Sequence, residues 1–305
     1  MYLDYYLNKL GYYNIDSTIK KYLEAPSLTR LKKVGYFCGM DYASKDIYDF
    51  TEYISRYDHS LTVSLLSYKL TGDINTSLAG LFHDIATPCF SHVIDYMNKD
   101  YLNQESTEEY TEHIIKSDKY LCSLLDKDGI NVEDIINYKK YSIVDNDRPK
   151  LCADRLDGVI LTGIGWTKNI DYKDIDDITS NIKVFTNEFG EKEIGFTSPL
   201  VAKKVIEVSK SIDLYCHSKE DNYMMELLAS IAKYMIDKKY ISYDDLYYYD
   251  EEELFNLFSI IDDEKLRRLL YEFKNIKRCD IPVIEMPEVK VRKLFPLYNN
   301  KRIIS

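Results

Sequence analysis

The chain has 305 residues, 45% of them hydrophobic and 30% charged, and its 40 Lys and Arg against 51 Asp and Glu give a formal net charge of −11. That is room for one large domain or two small ones with a substantial core, and no run approaches the roughly 20 apolar residues of a membrane helix. So negative a chain disfavours non-specific nucleic-acid binding, whereas a small anionic ligand stays compatible, because a few basic side chains and a cation set the field locally.

The opening Met1-Tyr-Leu-Asp-Tyr-Tyr has neither the basic nor the apolar region of a signal peptide, so a soluble, cytoplasmic protein is expected. Cysteines at 38, 89, 122, 152, 216 and 279 include no Cys-x-x-Cys pair and read as buried thiols in a reducing compartment. The 29 tyrosines read as compositional drift rather than as a ladder for stacking bases.

Gly and Pro are sparse and apolar residues recur at three and four, so the fold is expected to be mainly α. Tyr5 to Glu24 and Ser27 to Tyr42 hold short helices. Tyr53 to Leu70 is a strong helix with Ile54, Tyr57, Leu61, Leu65 and Tyr68 in one stripe, ended by Gly72-Asp73. Asn75 is placed to cap the next helix, whose inward face is Leu78, Leu81, Phe82 and Ile85 and which Pro88 closes. Helices follow at Ser91–Asn98, Glu105–Ser117, Tyr120–Asp126, Asn131–Asn137 and Lys150–Thr162. Ile182-Lys-Val-Phe-Thr and Glu193-Ile-Gly-Phe-Thr, flanking Asn187-Glu-Phe-Gly-Glu, read as an inserted β-hairpin. Helices at Leu200–Cys216, Met224–Lys238, Asp244–Phe258 and Asp263–Asn275 complete the set. The tail from Ile281 to Phe295 alternates and carries two prolines, as an edge strand or extended coil does.

His59, the doublet His83-Asp84, and Asp154 stand out. His59 sits mid-helix in Arg56-Tyr-Asp-His-Ser-Leu, His83-Asp84 in an apolar helix and Asp154 in a largely apolar turn, and imidazole nitrogen with carboxylate oxygen is what a divalent cation takes. Burying a carboxylate is costly unless a positive group pairs with it. Taken singly, each also fits a satisfied core histidine or a salt-bridged acid.

The set resembles the HD superfamily of metal-dependent phosphohydrolases, and within it the deoxynucleoside triphosphate triphosphohydrolases. Ser55-Arg-Tyr-Asp-His-Ser-Leu-Thr-Val is similar to the family's first segment. Ala79-Gly-Leu-Phe-His-Asp-Ile-Ala-Thr-Pro-Cys-Phe-Ser-His is similar to its central motif, and Ala153-Asp-Arg-Leu-Asp to its last metal motif. Val289-Lys-Val-Arg-Lys-Leu-Phe-Pro-Leu is similar to its C-terminal strand.

The resemblance implies an HD-domain helical core over 1–165, a β-hairpin insert over 166–199, and a C-terminal helical region with a β tail over 200–305. It implies one divalent metal ion (Mn, Fe, Ni, Co, Zn or Mg) held by His59, His83, Asp84 and Asp154. Arg56 and Arg155 match phosphate-contacting positions, Asp95 a catalytic carboxylate and His92 a pocket histidine. The substrate implied is a nucleotide or another small phosphate ester, and the assembly a homo-oligomer. Two positions depart from the family pattern: Thr87 and Thr107 stand where catalytic histidines are expected. Loss of a proton donor costs about 10²–10⁴-fold. A phosphohydrolase is therefore expected, the alternative being a sensor that keeps metal and nucleotide without turnover.

Overall fold

The computed structural model describes residues 1–102, 104, 110–283 and 288–304. The chain starts with α1 (Tyr2–Leu10), α2 (Ser17–Tyr22) and α3 (Pro26–Thr29), then runs through turns to α4 (Arg56–Thr71). Ser55 and Asp58 form a reciprocal capping box that fixes the first residue of α4 at Arg56, three residues after the expected start. Gly72, at φ 65°, ends the helix in the left-handed conformation that the missing Cβ permits.

In α5 (Ile74–Phe82) the cap is Asp73, not the expected Asn75. Asp73 is extended, and its carboxylate accepts from the Thr76 amide at 2.8 Å. This helix also stops earlier than expected. His83 is its C-cap, and the amides of Ile85 and Thr87 bond to Phe82 O and Asp84 O in tighter three-residue turns. The residue before Pro88 avoids the helical region, which shortens the helix from that side.

Short helices follow: α6 (His92–Met97), α7 (Thr111–Ser117), α8 (Lys119–Asp128) and α9 (Val132–Ile136). The expected helix from Glu105 is described only from Thr111 onward, because 105–109 lie outside the described residues. Next come α10 (Ala153–Gly165) and α11 (Tyr172–Asn181). Helix α11, which the periodicity did not single out, is fixed by a capping box between Asp171 and Asp174 and packs on α1.

The hairpin forms as expected, β1 (Ile182–Thr186) antiparallel to β2 (Lys192–Phe196). Helices α12 (Pro199–Cys216), α13 (Lys219–Asp237), α14 (Glu251–Ile260) and α15 (Glu264–Asn275) follow. The helix expected from Asp244 to Phe258 is split: Asp244–Tyr247 is a 3₁₀ turn, and a capping box between Asp250 and Glu253 starts α14 afresh. In the tail, 281–283 and 288–296 carry no regular structure and 284–287 lie outside the described residues. Beyond them, β3 (Leu297–Tyr298) pairs parallel to β2 and antiparallel to β4 (Lys301–Arg302), giving a sheet of order β1-β2-β3-β4. Gly195 allows that docking. A Cβ there would meet the Leu297 Cβ at 2.7 Å. The fold is mainly α with a small hairpin and a short C-terminal β segment.

Two apolar cores form. In the first, α4 packs along α5 and α10, with α1, α12 and the hairpin around them. The second gathers α6, α13, α14 and α15 over Met40 and Tyr48. Phe50 and Trp166 pack against both cores. The six cysteines are free; Cys89 and Cys152 are buried, but Cys279 is exposed, contrary to the expectation of buried thiols, because it follows α15 in a surface turn. Among the described residues no helix is long and apolar enough to cross a membrane.

Candidate metal centre

Three elements of the first core deliver the side chains. His59 projects from the first turn of α4, His83 and Asp84 from the turn that closes α5, and Asp154 from the first turn of α10. The position of Asp154 suits a carboxylate, since a helix N-terminus favours negative charge.

Hydrogen bonds on the outer nitrogens set the tautomers. His59 Nδ1 is 2.7 Å from Asp157 Oδ2, and His83 Nδ1 is 2.8 Å from Gly80 O. Each Nδ1 therefore carries a proton to donate, and each Nε2 faces the carboxylates of Asp84 and Asp154. His59 Nε2 lies 3.1 Å from Asp154 Oδ1 and 3.8 Å from Asp84 Oδ2. His83 Nε2 lies 3.6 Å from Asp84 Oδ1 and 3.6 Å from Asp154 Oδ1, and it is buried with no hydrogen-bond partner. One donor atom each of His59, His83 and Asp154 fits within 4.8 Å of the others, and Asp84 flanks this triad.

The electrostatics fit a missing positive charge. Burial lowers the His59 pKa, but hydrogen bonds to Asp154 and Asp157 outweigh it and push the ring up to about 10. Burial likewise opposes His83, and the charges of Asp84 and Asp154 raise it. Against their own burial, Asp84 is lowered by His83 and Arg56, and Asp154 falls well below the usual carboxylate range through its bonds to His59 and His83. The two imidazoles and two carboxylates bias each other's charge where a divalent cation would balance the carboxylates. The donor set fits a metal.

Arg56, one turn before His59, donates through Nη1 to Asp84 Oδ2 at 3.0 Å and through Nε to Ser91 Oγ at 3.1 Å. Its guanidinium lies 5.0 Å from the Tyr36 ring centroid, and that ring lies 5.1 Å from the His59 ring. His92 Nδ1 is 2.9 Å from the buried Asp95 carboxylate. Arg155 is turned toward the 145–150 segment. It donates to Lys150 O at 2.9 Å and Asp145 Oδ1 at 3.3 Å, and also bonds Asn146. Thr87 lines a recess with Arg56, Ser91 and His92 and offers no ionisable group there, while Thr107 lies outside the described residues.

Tyr36, Arg56, His59, His83, Asp84, His92, Asp154 and Arg155 border one cavity of about 910 Å³ between the two cores. Sequence reasoning missed Asp157, which orients His59. Its signal was an acid three residues after Asp154, among Leu156, Val159 and Ile160 on a buried helix face. Tyr36 gave none.

Residues 56–160 match the family model described as the HD domain. Its boundaries enclose every residue of the His/Asp centre. Two curated relatives are similar over part of the chain. The uncharacterized protein YdhJ of Bacillus subtilis is 29% identical over 148 residues, 48% of this chain and 43% of that protein. The metal-dependent phosphohydrolase cns2 of Cordyceps militaris is 25% identical over 135 residues, 44% of this chain and 38% of that protein. The chain thus spans less than half the length of either. The matched segment thus carries a His/Asp constellation able to hold a metal.

Proposed function

We propose that the HD domain holds one divalent cation through His59, His83, Asp84 and Asp154 and hydrolyses a phosphate ester of a nucleotide, a (deoxy)nucleoside triphosphate or a related nucleotide. The observation that carries this reading is the pair of buried imidazoles whose Nδ1 atoms are already committed, leaving both Nε2 atoms turned toward the same two carboxylates. Bound there, a divalent cation supplies Lewis acidity toward a phosphoryl oxygen and a water acidic enough to ionise near neutral pH. His and Asp donors suit Mn, Fe, Ni, Co or Zn, with Mg less apt for imidazole.

The remaining steps belong to side chains. Arg56 is held at the rim by Asp84 and Ser91, so its unused N–H groups are pre-oriented for phosphate oxygens. His92, braced by Asp95, borders the cavity and is the side chain we assign to pass a proton to the leaving oxygen. Arg155 borders the cavity while tied to Asp145, and contact with phosphate would draw it from that partner.

Thr87 favours a second reading, a protein that binds metal and nucleotide without turnover, because the recess beside Arg56 lacks an acid-base group at that position. Product analysis separates the two. The protein is incubated with Mn²⁺ or Mg²⁺ and a panel of nucleoside mono- and triphosphates, beside Asp84→Ala. Release of phosphate, pyrophosphate or triphosphate by the protein and not by D84A is expected. An untouched panel, with the same nucleotides raising the melting temperature, overturns hydrolysis in favour of sensing.

A further inference from the structure

The cavity wall facing the second core is aromatic. Phe37 and Phe50 stack with centroids 4.3 Å apart, Tyr48 stacks on Phe50 at 5.5 Å, and Trp166 stands 5.8 Å from Tyr48. Two charged side chains enter this apolar wall. Asp221, in the first turn of α13, is 7% exposed and accepts the Tyr48 hydroxyl at 2.6 Å, its only side-chain donor among the described residues. Arg292, on the tail, donates to Gln104 Oε1 at 3.1 Å and to Lys290 O at 3.2 Å.

An acid in the first turn of a helix is common, since the dipole favours it. That account is incomplete here. The cap is Ser218, which accepts from the Asp221 amide at 3.2 Å, so the carboxylate is not needed to cap. Burial also pushes Asp221 up to about 6, a cost that an exposed acid would escape. Arg292 lowers Asp221 and is raised by it, so the two feel each other's charge, yet they do not meet in an ion pair. Opposite charges held apart beside an aromatic wall, one of them buried, are incompletely compensated. A neutral group with a donor beside an acceptor satisfies both.

We propose that Asp221 and Arg292 form a specificity clamp for a planar heterocycle with a lactam edge, Asp221 accepting its N–H and Arg292 donating to its C=O while the ring lies against the Tyr48–Phe50 wall. The inference rests on the nucleotide reading above and narrows it: the favoured bases are guanine, hypoxanthine, uracil and thymine. Adenine, which has no ring carbonyl, fits less well. Aromatic faces supply stacking that any base can use. The charged pair supplies the discrimination, because leaving either group unsatisfied in a desolvated site is costly.

Trp166 is the chain's single tryptophan and borders the cavity, so its fluorescence reports binding directly. The full chain in EDTA is titrated with inosine, guanosine, uridine and adenosine, which carry no phosphate. Saturable quenching by the three lactam nucleosides, at least about tenfold tighter than by adenosine, is expected. Asp221→Asn and Arg292→Gln should each weaken it by about tenfold or more, with melting temperatures showing that the variants are folded. Should one variant fail to fold, the other carries the comparison. Absence of quenching, equal affinity for adenosine, or unchanged affinity in a folded variant overturns the clamp.

The assay needs neither metal nor turnover, so nucleoside binding without hydrolysis removes the enzyme reading and leaves the clamp. Hydrolysis indifferent to the base removes the clamp alone. For a hydrolysed nucleotide, D221N should raise KM with little change in kcat, a split that general structural damage would not produce.

Discussion

At the residue scale the centre depends on a carboxylate that binds nothing itself. Asp157 is fully buried beside His59, and burial raises its pKa against the bond that it receives from the ring. Thr62 Oγ1 also donates to it, at 2.8 Å. Replacing Asp157 with Asn allows an amide oxygen to accept from His59 Nδ1 but removes the charge that makes the ring a strong donor to a cation. Asp157→Asn should therefore lose about 10–100-fold in Mn²⁺ affinity by titration calorimetry, with little change in the far-UV spectrum. Unchanged affinity would mean that His59 is not a ligand or needs no such support. The four proposed ligands were legible in the sequence because His83, Asp84 and Asp154 interrupt apolar runs and, with His59, match a family pattern. Asp157 stood in the same motif, yet its role depends on a contact 98 residues back along the chain. Asp221 and Arg292 were invisible for the same reason: nothing local marks an acid in one helix as facing an arginine in the tail.

At the element scale, the boundary of α4 decides where Arg56 and His59 point. Ser55 Oγ accepts from the Asp58 amide at 3.1 Å, and Asp58 Oδ2 accepts from the Ser55 amide at 2.8 Å. Ser55→Ala removes half of the box at a buried site and should cost about 1 kcal/mol, read from urea unfolding with an unchanged m-value. An unshifted midpoint would assign the boundary instead to the Arg56 amide bonding Val34 O at 2.8 Å. The helical pattern located the long helices, because a 3.6-residue apolar period is itself the packing requirement. It misplaced ends, as at Asp73 and at the break before Asp250, because a cap is one side chain choosing one amide and leaves no periodic trace. It also passed over α11, whose ten residues bury only Ile175, Ile178 and Thr179.

At the scale of the whole molecule, the second core is tied to the site by a buried acid. Glu251, at the start of α14, accepts the Phe90 amide at 3.1 Å. Phe90 and Ser91 hold positive φ values of 67° and 45°, and Ser91 anchors Arg56. Glu251 Oε2 and Asp41 Oδ2 are both buried without hydrogen-bond partners. Burial, reinforced by the charge of Asp41, pushes Glu251 up to about 8. A carboxyl whose folded pKa lies above its unfolded value near 4.5 binds its proton more tightly in the folded state. Its contribution to stability is complete below about pH 4.5 and is lost as pH rises toward 8. Stability should accordingly fall across that window, by at most about 1.4 kcal/mol per pH unit from this group. Glu251→Gln keeps an oxygen for the Phe90 amide, provides an N–H on the side of Asp41 and cannot ionise. Melting curves from pH 5 to 8 should show the variant with a shallower slope than the parent and a higher melting temperature at pH 8. Parallel slopes would show that Glu251 stays ionised throughout, and that the joint between the second core and the Arg56 anchor is not pH-sensitive through this side chain.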